Sequence, residues 1–241
     1  MEKKAIIIGA SSGIGRALAL LYAGRGYKVG ITGRRAHLLH ELRNSNPSAF
    51  IVKCFDIDDT ASVYENLNQL VAELDGVSVV ILSSGTGKRN PELNPEYEIE
   101  TIKTNVAGFT VVSTWAYNFF EKQGYGNFAA ISSIAGLRGF ALSPSYSSSK
   151  GYQMRYLESL RQKARNSGKN IFVTDIRAGF VDTAMGQGEG AFWKSSPEVA
   201  AEQIFKAICR RKGIVYVTGR WFFVALLMRL VPNFIFERLK L

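Results

Sequence analysis

Histidine and cysteine are scarce in this chain of 241 residues, with two of each. His37 and His40 sit together on a polar stretch and read as surface residues. No spacing of His, Cys or acidic residues matches a metal site, so no metal is expected. Cys54 and Cys209 lie far apart in apolar surroundings, which excludes a disulfide framework and predicts two small buried hydrophobes in a reducing compartment. Long apolar runs are also missing. The stretch after Met1-Glu-Lys-Lys is too short for a signal-peptide core, so no targeting segment is expected and the location reads as cytoplasmic. Near the C-terminus the run Trp221–Met228 falls far short of the ~20 residues that span a bilayer. Acids are rare there too: from Lys206 onward eight basic residues face only Glu237, which is +7 of the total +10. No nucleic-acid recognition module accompanies that charge, so nucleic acid is not an expected partner.

A composition of 46% hydrophobic and 21% charged residues is that of a globular chain rather than a disordered one. Short apolar runs alternate with helical periodicity. Strands are predicted at Lys4–Ile8, Lys28–Thr32, Phe50–Phe55, Val77–Leu82, Asn127–Ser132, Asn170–Ile176 and Ile214–Val217. Helices are predicted at Ile14–Arg25, Ala36–Asn44, Asp59–Leu74, Glu96–Gln123, Tyr146–Asn166 and Pro197–Arg211. This alternation predicts an α/β fold with a doubly wound parallel sheet of Rossmann-like type, helices on both faces, in a single domain over 1–241.

Two motifs carry chemistry. Gly9-Ala-Ser11-Ser12-Gly13-Ile14-Gly15 follows a strand and opens a helix, the setting in which glycines let the backbone approach a pyrophosphate at a helix N-terminus. Tyr146-Ser-Ser-Ser-Lys150 places an ammonium one helical turn from a phenol, on the same face. A fixed positive charge lowers a phenol pKa from its ordinary ~10 and makes it a usable proton donor. Other readings of these residues fail. Gly9-x-Ser11-x-Gly13 also fits a hydrolase nucleophile elbow, but that chemistry needs a late histidine and the last one here is His40. Ser147-x-x-Lys150 fits a serine acyl-enzyme motif without its partner motifs.

From Lys4 to about Thr183 the chain resembles a short-chain dehydrogenase/reductase. The family's four active-site residues fall on Asn105, Ser133, Tyr146 and Lys150, with Ser133 thirteen positions before Tyr146. The resemblance implies that Tyr146 exchanges a proton with the substrate oxygen and Ser133 hydrogen-bonds that oxygen. Lys150 would lower the tyrosine pKa and bind the nicotinamide ribose, and Asn105 would hold a water in a relay back to Lys150. Gly33 stands where an acid would select NAD, with Arg34 and Arg35 beside it, which points to NADP(H). Further cofactor contacts are expected from Ser11, Ser12, the adenine-contacting pair Asp56-Ile57, and Ser83, Gly85, Gly179, Val181 and Thr183. Departures from the family pattern are Leu82-Ser83-Ser84-Gly85 in place of Asn-Asn-Ala-Gly, and Ala178-Gly179 in place of Pro-Gly. The second frees a backbone torsion and is expected to loosen the segment beside the nicotinamide.

The expected activity is an NADP(H)-dependent interconversion of a ketone or aldehyde with an alcohol. The alternative is a non-catalytic NADP(H)-binding regulator or scaffold that keeps the fold. Phe140, Leu142, Phe192 and Trp193 point to a fairly apolar substrate. Residues 184–196 read as a substrate lid, and 219–241 as an apolar, basic helical tail. That tail either packs over the cleft and a partner subunit or lies in a membrane interface with Arg229, Arg238 and Lys240 near headgroups. The family implies a homodimer or homotetramer.

Overall fold

A computed structural model describes residues 3–184 and 192–239 of the chain. Seven strands form one sheet in the order β3-β2-β1-β4-β5-β6-β7, and every pairing is parallel. They are β1 Lys4–Ile8, β2 Lys28–Gly33, β3 Phe50–Cys54, β4 Val79–Leu82, β5 Tyr125–Ser133, β6 Asn170–Ala178 and β7 Ile214–Val217. The central strands β1 and β4 are buried along their whole length, as the Ala, Ile, Val and Leu content of both strands after Lys4 requires of strands covered on both faces. The predicted fold class is the one observed.

Helices cover both faces. Leu18 of α1 (Gly13–Gly24), Leu39 of α2 (Ala36–Ser45) and Ile204 of α7 (Pro197–Cys209) join one core cluster with Ile7, Ile31 and Ile81. Leu67 of α3 (Val63–Leu74), Trp115 of α5 (Phe109–Gln123) and Leu157 of α6 (Pro144–Asn166) join the other with Ile6, Val80 and Phe128. Successive strand residues point to opposite faces, so Ile6 and Ile7 of one strand serve different cores. The chain passes from β3 back across β1 to β4, and this reversal opens a crevice at the C-terminal ends of β1 and β4.

Three local outcomes differ from the sequence expectations. The long helix 96–123 is instead α4 (Pro95–Ile102), a π-helical segment Lys103–Gly108 and α5 in succession. Gly108 explains the close approach there, because a Cβ would lie 2.7 Å from the Ile57 carbonyl oxygen. Cys54 and Cys209 are exposed rather than buried. Each is the last residue of its element, β3 at the sheet edge and α7 at its C-terminus, where the apolar pattern runs out into solvent. Ala178 is held in register between Ser133 of β5 and Val217 of β7, and the Gly179 amide donates to the Val217 carbonyl at 2.8 Å. Ala178 therefore has a strand partner on each side and Gly179 on one, contacts that constrain the backbone where the family pattern has proline.

The tail forms α8 (Trp221–Leu230) and the short α9 (Asn233–Phe236). Arg138, just after β5, donates to the carbonyls of Met228 at 3.1 Å and Val231 at 2.8 Å, and to Asn233 Oδ1 at 3.1 Å. Its guanidinium also stacks 4.2 Å from the centre of the Phe236 ring. These bonds satisfy carbonyls that a helix C-terminus leaves open and fix the tail beside the end of β5. Among the described residues no helix is long and apolar enough to cross a membrane.

Candidate active site

The glycine loop is shaped by contacts that only glycine permits. Gly9 has φ 88°, and a Cβ on it would lie 2.6 Å from the Ser84 amide nitrogen. A Cβ on Gly15 would lie 2.1 Å from the Gly9 carbonyl oxygen. The Ser83 amide donates to the Ile8 carbonyl at 2.8 Å, so Ser83-Ser84 supports the loop through backbone where the family pattern has Asn-Ala. The first turn of α1, which contains Ile14, has no acidic residue, and Ser12 caps it without a side-chain bond. That leaves its amide dipoles directed at an incoming anion.

Arg35 reaches back over this loop. Its Nη2 donates to Ser11 Oγ at 2.7 Å and to Ser12 Oγ at 2.6 Å, and its Nε to Ser11 Oγ at 3.1 Å. Arg34 instead pairs with Asp56 at 3.6 Å in a largely exposed position, with Ile57 buried beside it. The two arginines thus divide: one on the glycine loop, one at the acid beyond β3. Ser11, the hydrolase candidate, belongs to this basic cluster. Gly13 lies against Thr183, whose Cγ2 is 3.0 Å from where a Cβ would be, and Val181 is buried just before it. A groove of about 560 Å³ runs from Gly13 and Thr183 between α1 and α7, with Arg16, Asp182 and Glu198 on its walls.

Tyr146 and Lys150 occupy the first turns of α6, and several contacts fix that end of the helix. Pro144 supplies the first-turn φ, and Glu98 of α4 accepts from the Ser145 amide at 2.9 Å, a negative charge at the positive end of the helix. Gly136 lets the turn 134–137 meet α6 backbone to backbone, since its Cβ would fall 2.5 Å from the Lys150 carbonyl carbon. Ser147 is buried, donates into its own turn at Ser143 and Pro144, and accepts from the Phe140 amide, which accounts for it structurally. Gly87 lies on the face of the Tyr146 ring, with Cδ2 at 2.3 Å from a hypothetical Cβ.

Ser133 ends β5 with its hydroxyl donating to the Ala178 carbonyl and accepting from the Ala135 amide, both at 3.2 Å. Burial pushes the Tyr146 phenol above its ordinary pKa, and a hydrogen bond with Ser133 offsets part of that rise. The net direction is thus upward, opposite to the one expected from Lys150, because burial is the larger effect. The ammonium is 5.8 Å from the ring centre and is committed elsewhere, donating to the Ile131 carbonyl and to Gln153 Oε1, each at 2.9 Å. Burial pushes Lys150 down to about 8, with Asp175 of β6 acting in the opposite direction. Asp175 itself is buried against Arg177 at 2.8 Å and accepts from Ser132.

Asn105 sits in the π-helical segment, fully buried. Its Oδ1 accepts from the Thr86 amide at 2.9 Å, and its Nδ2 donates to the Thr86 carbonyl at 2.7 Å and to Ser149 Oγ at 3.0 Å. The side chain therefore ties the loop after β4 to α6. Gly85 adjoins this knot, 3.5 Å from Lys150 Nζ when given a Cβ. The Asn105 carbonyl accepts from Gln153 Nε2 at 2.9 Å.

Sequence reasoning missed Gln153, Arg138 and the role of Trp221. The Trp221 indole lies on Gly179, with Cε2 and Nε1 2.2 Å from a hypothetical Cβ, and it forms an aromatic cluster with Phe180, Phe192 and Trp193. Of the stretch expected as a lid, residues 185–191 lie outside the described residues, so the lid expectation falls largely there. Among the described residues no cluster of three or more metal-ligating side chains occurs.

The fold and these residues define a dinucleotide-binding α/β protein with a tyrosine and a lysine at the carboxyl ends of its strands. The family model described as "short chain dehydrogenase" matches residues 3–192, and the chain belongs to that family. An uncharacterised oxidoreductase of Myxococcus xanthus is 34% identical over 76% of this chain and 74% of its own length. A short-chain dehydrogenase/reductase of Burkholderia phymatum in complex with NAD shares the fold with a TM-score of 0.84, at 20% identity over 94% of this chain and 92% of its own. ElxO with NADP bound shares it with a TM-score of 0.79, at 22% identity over 90% of this chain and 97% of its own.

Proposed function

We propose that the protein is an NADP(H)-dependent oxidoreductase that interconverts a ketone or aldehyde with an alcohol. The observation that carries this reading is the convergence of Ser133, Tyr146 and Lys150 beside the crevice opened by β1 and β4. The glycine cradle, the α1 N-terminus and the Ser83–Gly85 loop fit a dinucleotide, since Gly9 and Gly15 let the loop fold tightly on Ser84 and on itself ahead of a helix N-terminus free of acidic residues. Arg35 with Ser11 and Ser12 suits a 2′-phosphate, while Arg34, Asp56 and Ile57 suit the adenosine side. Gly179, Val181 and Thr183 suit the nicotinamide end. Neighbours of this fold bind NAD in one case and NADP in the other, so the preference rests on Arg35 and on the missing acid at Gly33. When bound, the nicotinamide supplies or accepts hydride.

The chain's own groups manage the proton. Tyr146 donates a hydrogen bond to the substrate oxygen, where negative charge builds as hydride arrives, and Ser133 donates a second once its hydroxyl turns from the Ala178 carbonyl. A buried phenol above its ordinary pKa stays protonated at neutral pH and so serves as donor for carbonyl reduction. The Lys150 charge supports the phenolate that results. Phe180, Phe192 and Trp193, exposed and packed on the buried Trp221, make the surface beyond Gly179 apolar, which favours an apolar carbonyl compound. Parallel assays of a carbonyl panel with NADPH and NADH test the reading. Reduction of an apolar carbonyl with NADPH preferred supports it, and tight NADPH binding with no turnover across the panel favours the regulator alternative.

Two exposed apolar surfaces are assigned to partners on the same reading. Leu93, Tyr97, Ile99 and Ile102 on and before α4 are exposed and suit a second copy of the chain. Phe222, Phe223, Leu226, Leu227 and Leu230 of α8, with Phe234 and Ile235 of α9, are also exposed, while Trp221 and Ala225 pack inward. Arg229 and Arg238 accompany that second face, so its partner is taken to be an anionic lipid surface. Flotation with vesicles of phosphatidylcholine and phosphatidylserine, lost in a Phe223→Glu/Leu227→Glu variant, supports this. Binding indifferent to those substitutions contradicts it.

A further inference from the structure

Gln153 is 1% exposed, on the α6 turn after Lys150. Its side-chain amide is used at both ends, Nε2 donating to the Asn105 carbonyl and Oε1 accepting from Lys150 Nζ, each at 2.9 Å. We infer that Gln153 is the positioning residue of the active-site lysine, a side-chain bridge that ties its ammonium to the Asn105 carbonyl of the π-helical segment.

The chemistry of an amide gives the bridge two consequences. An amide oxygen accepting from an ammonium favours its charged form, so Gln153 works against the burial that drives Lys150 toward neutrality. A water both donates and accepts and can pass a proton along; an amide whose nitrogen donates and whose oxygen accepts passes none without becoming an imidic acid. Lys150 is thereby held as a fixed charge rather than as a link in a solvent-fed chain. The titratable groups facing Lys150 are Tyr146 on its own helix and Asp175 on β6; the π-helical segment, β5 and the Gly85 loop present Asn105, Ile131, Ser133 and backbone. The role of the lysine rests on the proposed oxidoreductase function, whereas the bridge itself does not.

The test therefore follows Lys150 in cofactor-free protein. Lysine labelled with ¹³C at Cε is titrated by NMR from pH 5.5 to 10, with the Lys150 signal assigned from a Lys150→Arg protein. Gln153→Leu removes the acceptor and is expected to lower the Lys150 midpoint by about one pH unit; Gln153→Glu supplies a carboxylate and is expected to raise it by about as much. Gln153→Asn, one methylene too short to reach both partners, gives the same direction as Leu with less disturbance of packing and replaces it if the Leu protein does not fold. Folding of each is checked by circular dichroism. Opposite displacements establish the bridge, since a packing role moves both the same way or neither. Midpoints that stay with the parent, or move together, overturn it. Absence of carbonyl turnover in the parent would overturn the proposed function and leave this result standing.

Discussion

The indole of Trp221 fills the space that a side chain on Gly179 would need. A residue from the C-terminal tail thus lies on the backbone of the segment after β6, beside Val181 and Thr183. Substituting Gly179 by Ala is expected to cost about 1–3 kcal/mol, the range for overpacking a filled interior, and to weaken NADPH binding. In a Trp221→Leu background the same substitution should cost less. Thermal unfolding and NADPH fluorescence on the four proteins of this cycle measure both effects.

The arginines beside β2 are expected to behave differently. Arg35 bonds Ser11 and Ser12, whereas Arg34 pairs with Asp56 in solvent. Arg35→Ala is expected to raise the Kd for NADPH by at least about tenfold, the loss of a charge-assisted bond to phosphate, and to leave the Kd for NADH nearly unchanged. Arg34→Ala is expected to have the smaller effect. Titrations with both nucleotides check this.

Buried Lys150 makes stability depend on pH in a defined direction. Its folded pKa of about 8 lies below its ordinary 10.5, so charging it in the folded state opposes folding. That penalty is fully present below pH 8 and relieved as pH rises from 8 to 10.5, a span worth on the order of 3 kcal/mol. A Lys150→Met protein lacks it. The Tm difference, Met variant minus parent, is therefore expected to be more positive at pH 7 than at pH 10, as scanning calorimetry at the two values would show.

Arg138 links the end of β5 to the tail. Arg138→Met removes three hydrogen bonds to Met228, Val231 and Asn233 and is expected to raise hydrogen exchange over residues 221–236 by an order of magnitude or more. Exchange in β1 and β4 should be unchanged.

Much of this architecture was legible in the sequence because it depends on local pattern. The unbroken apolar runs of β1 and β4, and the Gly9–Gly15 spacing between a strand and a helix, each have few alternatives. Tyr146 and Lys150 could be named from their i, i+4 spacing on one helix, and Ser133 and Asn105 through the resemblance to the family. What stayed hidden depends on contacts across elements. Gln153 on α6 meets a carbonyl of the π-helical segment 48 positions away, and Arg138 meets carbonyls 90 and 93 positions away. Lys150 was read as acting on Tyr146 and the nicotinamide ribose, because the sequence does not show that Ile131 and Gln153 also take up the ammonium. The cysteines were misread because an apolar neighbourhood in sequence does not reveal that an element ends at a surface.

The central claim is that Tyr146 donates the proton in carbonyl reduction. Its most direct test is the steady-state rate of the Tyr146→Phe protein with NADPH and a carbonyl compound the parent reduces, with NADPH affinity measured alongside. The phenyl ring keeps the packing on Gly87 and loses only the hydroxyl. The prediction is unchanged NADPH binding with a fall in kcat of at least about a hundredfold, the scale of a lost general acid. A folded Tyr146→Phe protein that binds NADPH and reduces the carbonyl at the parent rate would contradict it.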